Sequence, residues 1–136
     1  MDGAAAKMRR IATYTIMLVL VAAGCTNAID RSMVVGTYRA NHNKGVDLLE
    51  LKADGTYLYH YTAPDGREVR NTNKWEFQYL DGKPKITFFE FSFGLHGYGT
   101  PKPGFWLVEV EKPILDNRLR LCIDPDLGYY FIKQNS

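Results

Sequence analysis

The chain has 136 residues, with 17 basic against 15 acidic side chains and 13% aromatic residues. Three of the basic residues and one of the acidic ones precede position 25, so residues 25–136 carry fourteen of each and are formally neutral. That balance excludes the basic excess of a nucleic-acid binder and leaves no polybasic patch to hold a membrane surface, while the length suits one domain and not two.

The first stretch has three parts. Lys7, Arg9 and Arg10 form a basic head, residues 11–23 form an apolar run of 13, and Ala22, Ala23 and Gly24 lead into Cys25. A basic head, a short apolar run and small residues at a cut describe a secretory signal. A permanent membrane helix would need about 20 apolar residues to cross a core about 30 Å thick. Met8-Arg9-Arg10 is a complete head by itself, so Met1 and Met8 both stand as starts. Val21-Ala22-Ala23-Gly24-Cys25 resembles the lipobox of bacterial lipoproteins, with Ala22 where that family most often carries Leu. The resemblance implies cleavage before Cys25, acylation of its thiol and new amino group, and attachment to a membrane through lipid. It also implies a place in the cell envelope. Thr26, where an Asp would favour retention at the inner membrane, points to the periplasmic face of the outer membrane if the source is Gram-negative. The alternatives are an ordinary signal with an incidental cysteine, and an uncleaved anchor.

Residues 1–24 therefore read as signal, 25–33 as lipidated tether and 34–136 as a β-rich domain. If Cys25 carries lipid, Cys122 is the only free thiol and the core must hold by packing alone. Beyond the tether, β-type runs fall at 34–40, 46–52, 56–62, 73–80, 85–93, 105–111, 118–123 and 129–133. Asp54-Gly55, Asp65-Gly66 and Asp81-Gly82 punctuate three of the joins, and Asp-Gly is a strong hairpin signal. Eight short strands with such spacing predict an all-β domain, an up-and-down sheet or a small eight-stranded barrel, with little helix past residue 33.

Period-two alternation sets the faces. A three-residue loop at Ala53-Asp54-Gly55 would pair Lys52 with Thr56 and put Leu49, Leu51, Tyr57, Tyr59 and Tyr61 on one face. A two-residue turn at Asp54-Gly55 would mix them with Glu50 and Lys52, so the longer loop is expected. The same alternation groups Trp75 with Phe77 and Tyr79. It places Phe89 with Phe91 and Phe93 opposite Phe88, Trp106 with Val108 and Val110, and Leu119 with Leu121 and Ile123. Gly36-Thr37-Tyr38, followed by Ala53-Asp54-Gly55-Thr56-Tyr57, resembles the opening of lipocalin-like bacterial lipoproteins, which usually carry Gly-x-Trp there. That resemblance implies a closed barrel and an apolar ligand. Tyr57, Tyr59, Tyr61, Trp75 and Trp106 would line its cavity, although an eight-stranded barrel is equally able to fill with side chains, and a filled core is favoured for so short a chain.

No catalytic or cofactor motif stands out. His42, His60 and His96 have no metal-ligand spacing, so neither metal nor cofactor is expected. Cys122 lies on the face of Arg118 and Arg120, which would lower a thiol pKa, though a packed small residue is the plainer reading. Asp124-Pro125-Asp126-Leu127-Gly128 reads as a turn. The longest connection, 94–104, carries His96, Tyr98 and Lys102 among glycines and prolines. It is the expected contact loop, or else an insertion that the fold merely tolerates. The residues support a non-catalytic binding module for a small apolar ligand or an envelope protein. The alternative is a structural or inhibitory protein with a solid core and a partner on the 94–104 loop.

Overall fold

In a computed structural model, which describes residues 28–41, 44–94 and 102–135, eight antiparallel strands run up and down and close into a barrel. They are β1 (Gly36–Ala40), β2 (Val46–Leu51), β3 (Thr56–Thr62), β4 (Glu68–Leu80), β5 (Lys83–Phe91), β6 (Gly104–Glu111), β7 (Arg120–Asp124) and β8 (Tyr129–Lys133), preceded by one helical turn, α1 (Arg31–Val34). Each strand pairs with its neighbours in sequence, and β1 pairs with β8 to close the ring. This is the eight-stranded form of the expected all-β fold. Residues 1–24, expected to be a signal, and Cys25 lie outside the described residues.

The β2–β3 hairpin has the three-residue loop. Leu51 faces Tyr57 and Leu49 faces Tyr59, while the Lys52 N–H donates to the Thr56 carbonyl at 2.9 Å. The Gly55 N–H closes a turn onto Lys52 O at 3.1 Å, and Gly55 takes φ +87°, a left-handed conformation in which a Cβ is strained. Asp54 finishes the loop by accepting from both the N–H and the hydroxyl of Thr56, at 2.9 and 2.6 Å. With the register set this way, Leu49, Leu51, Tyr57, Tyr59 and Tyr61 all turn inward and are buried.

Two features depart from the pattern. β4 begins at Glu68, because residues 68–74 pair with β3 although they are mostly polar; the second half of the strand pairs with β5. Inward positions in that first half are Val69, Asn71 and Asn73, and Asn71 Nδ2 is satisfied by Ser92 O at 2.8 Å. The second departure corrects the placement of Phe88 and Phe89. β5 carries a bulge between Phe88 and Phe91, with Glu90 at φ +50°. One extra residue reverses the alternation. Ile86 and Phe88 point inward before it, Phe91 and Phe93 point inward after it, and Phe89 is turned out. The Tyr57 hydroxyl donates to the Phe89 and Glu90 carbonyls at 2.7 and 3.2 Å, supplying the donor that the broken ladder withholds.

Charged side chains such as Arg39, Glu68, Arg70, Lys74 and Glu76 face out and most aromatics of the strands are buried, the reverse of a membrane-spanning barrel. No helix among the described residues is long and apolar enough to cross a membrane.

Within the segment expected to be a lipidated tether, residues 29–33 are docked on the barrel. The Tyr79 hydroxyl donates to Ile29 O at 2.7 Å, and Asp30 caps α1 by accepting from Met33 N at 3.1 Å. The Arg31 guanidinium lies 4.6 Å from the centre of the Trp75 ring and donates to Ala53 O at 3.1 Å. Val34 is fully buried, with its carbonyl taken by the Tyr38 hydroxyl at 2.6 Å and that of Met33 by Lys133 Nζ at 2.5 Å. α1 thus packs against the end of the barrel where β1 starts and β8 finishes.

Candidate functional site

Three regions hold the residues singled out from the sequence. In the interior, Tyr57, Tyr59, Tyr61 and Trp75 are buried and Trp106 is half-buried against them. Each of them belongs to one cluster of packed side chains. Phe91 lies 5.4 Å from Tyr57, 4.9 Å from Tyr59, 5.0 Å from Phe88 and 5.1 Å from Phe93, centre to centre. Phe93 meets Trp106 at 4.4 Å and Tyr129 at 6.1 Å, and Tyr59 and Tyr129 meet Phe131 at 6.2 and 5.7 Å. Rings at edge-to-face distance from one another fill the section they occupy. At the rim, a Cβ on Gly94 would fall 1.6 Å from a Tyr61 ring carbon. Only glycine leaves space there.

Above this core lies a polar group that was not among the residues singled out from the sequence. Asp47 is buried and accepts from the Tyr129 hydroxyl at 2.7 Å, while the Tyr59 hydroxyl accepts from Gly94 N at 2.8 Å. Burial, with the Asp47 charge second, pushes the Tyr59 and Tyr129 phenols well above the usual range. A phenol so shifted is a hydrogen-bond donor and not a base at neutral pH. The signal was present in the strand itself, because the alternation that turns Leu49 and Leu51 inward does the same to Asp47.

The third region is the 94–104 connection. His96 and Tyr98 lie outside the described residues, as does His42. Lys102 is exposed at its exit, just before β6. Beyond Lys102 the outer face becomes apolar. Phe105 is 67% exposed and Leu107 44%, and the Phe89 ring, turned out by the bulge, meets Phe105 edge-to-face at 5.5 Å. Sequence reasoning placed Phe89 inside and so missed this strip.

Two other candidates resolve differently. Cys122 is half-buried on the outer face of β7, and its thiol pKa is raised, first by burial and then by Glu111, against the lowering expected from arginines. Glu111 sits on Arg120, 2.7 Å away, which draws the guanidinium's charge from the thiol. His60 pairs with Glu68 at 3.4 Å and Thr62 at 3.3 Å on the surface. Among the described residues, no group of three or more His, Cys, Asp or Glu side chains could hold a metal. The 124–128 segment is the expected turn, with Asp124 Oδ1 accepting from Asp126 N and Leu127 N at 3.0 and 3.2 Å.

The fold and the packing together define a small closed antiparallel barrel with an aromatic core and an apolar strip on the outside of β5 and β6. No family model, curated protein or solved structure matches this chain.

Proposed function

We propose that this protein is a lipid-anchored recognition module of a bacterial cell envelope, exported by residues 1–24, acylated at Cys25, and non-catalytic. The membrane is one partner, through the lipid; an envelope protein is the other, bound on Phe89, Phe105, Leu107 and the adjoining 94–104 loop. One observation carries this choice over a carrier of a small apolar ligand: the rings fill the section of the barrel they occupy, while large apolar side chains are left outside beside Lys102. A closed barrel offers no free strand edge to a partner, so recognition falls to such outward side chains and to loops.

Two measurements test it. Metabolic labelling with a fatty acid should mark the parent and not Cys25→Ala, which should lose its membrane attachment. A photo-crosslinker at position 105 should capture a discrete envelope protein that one at Leu58, exposed elsewhere on the barrel, does not. Equal capture at both positions, together with a small molecule retained in native mass spectrometry, would favour the carrier instead.

A further inference from the structure

The β6–β7 connection carries the most exposed apolar side chains among the described residues. Ile114 is 99% exposed and Leu115 is 101% exposed, and they are adjacent. Each leaves in water the apolar surface that the hydrophobic effect drives into a core or a bilayer. The base of this loop is braced. Asp116 accepts from Arg118 N at 3.2 Å and from its guanidinium at 2.9 to 3.2 Å, so the acid nearest the tip is neutralised in place. Lys112 and Pro113 lead into the tip. The loop therefore projects a pair of apolar side chains with one cation behind them.

Its position in the barrel identifies what it meets. Residues 112–119 leave the barrel at the end where α1 docks. Met33 of α1, Lys112, Arg118, Leu119 and Lys133 line one cleft of about 380 Å³ there, and Lys133 N donates to Leu119 O at 2.8 Å. Ile29 is fixed to that same end by Tyr79. From Cys25 to Ile29 the backbone has four steps, which span at most about 14 Å. A lipid on Cys25 would thus bring this end of the barrel, and not the end bearing Lys102, against the bilayer surface.

We infer that the 112–118 loop is a membrane-dipping element, placing Ile114 and Leu115 among the lipid acyl chains with Lys112 at headgroup level. Together with the anchor it fixes the barrel's orientation, so that the 94–104 loop and the Phe105 strip stay clear of the membrane. Two apolar side chains are a weak attachment alone and an effective second contact once lipid confines the protein to the surface. The inference rests on the reading of Cys25 as the acylated residue.

The test uses the full lipidated chain, in a Cys122→Ser background, on vesicles of phosphatidylethanolamine and phosphatidylglycerol. A polarity-sensitive dye is attached at Leu115→Cys or, as control, at Leu127→Cys. Leu127 is 59% exposed in the β7–β8 turn at the opposite end. The dye at 115 should shift to the blue and be quenched by lipids bearing a shallow nitroxide, and adding Ile114→Asp should reverse both. The dye at 127 should report water throughout. A chain that takes fatty acid and floats with the vesicles, but whose dye at 115 reports water, overturns the insertion and leaves the anchor intact. A chain that neither takes fatty acid nor floats overturns both.

Discussion

Removing the Phe91 ring is the sharpest test of the filled core. Phe91 is fully buried and touches four other rings, those of Tyr57, Tyr59, Phe88 and Phe93. Phe91→Ala forfeits the transfer free energy of the ring, about 2–3 kcal/mol, and adds a cavity term because rigid neighbours close the space only partly. The expected loss is about 4 kcal/mol, a large part of the 5–15 kcal/mol that typically holds a domain together. Phe105→Ala, on the outer strip, should change stability by less than about 1 kcal/mol. Guanidinium denaturation, followed through the fluorescence of Trp75 and Trp106, measures both, and the denaturant dependence should match the parent's. A further consequence is that benzene should stabilise Phe91→Ala and not the parent, since an apolar cavity of that kind stays dry and accepts such a probe. If Phe91→Ala loses less than about 1.5 kcal/mol at an unchanged slope, or if benzene stabilises the parent, the interior is not packed as described.

Two more outcomes follow from the titratable groups. Burial pushes Tyr57 up to about 12 and raises Tyr38, Tyr59 and Tyr129 as well. A pKa raised in the folded state contributes stability that is complete below the unfolded value near 10 and is lost as pH climbs toward the folded one. Tyrosinate absorbance from these four residues should therefore appear together with loss of near-ultraviolet circular dichroism above about pH 10; ionisation of all four with the fold intact would contradict their burial. In a Cys25→Ala background, Cys122 should react with iodoacetamide more slowly than a free thiol. Glu111→Gln should speed it, by removing the charge that raises the thiol and releasing Arg120 to lower it. A rate unmoved by Glu111→Gln would assign the slow reaction to burial alone.

The number of strands, most of their limits and the β2–β3 register were legible in the chain. All three depend on short-range chemistry, namely Asp-Gly turns and alternation with period two. The apolar–polar parity around residues 49–61 admits one loop length, and the structure has it. Legibility failed where polar side chains pair inside the barrel. Residues 68–72 carry no apolar stripe and still form half a strand, because Asn71 finds a partner on a distant segment. It failed again at Phe88 and Phe89, where a bulge held by Tyr57 reverses which ring is buried. The apolar strip of β5 and β6 could not be anticipated without it.

The order of residues along the chain was enough to define an eight-stranded antiparallel domain and the inward face of most of its strands. These follow from neighbours within a few positions. Tertiary structure alone decided that the ring closes, that rings from β3, β5, β6 and β8 pack against one another inside it, and that α1 docks against one end beside the Ile114-Leu115 loop. Each of those depends on side chains far apart in sequence competing for one small volume. Which of them wins is a question of packing, and alternation along a single strand carries no information about it.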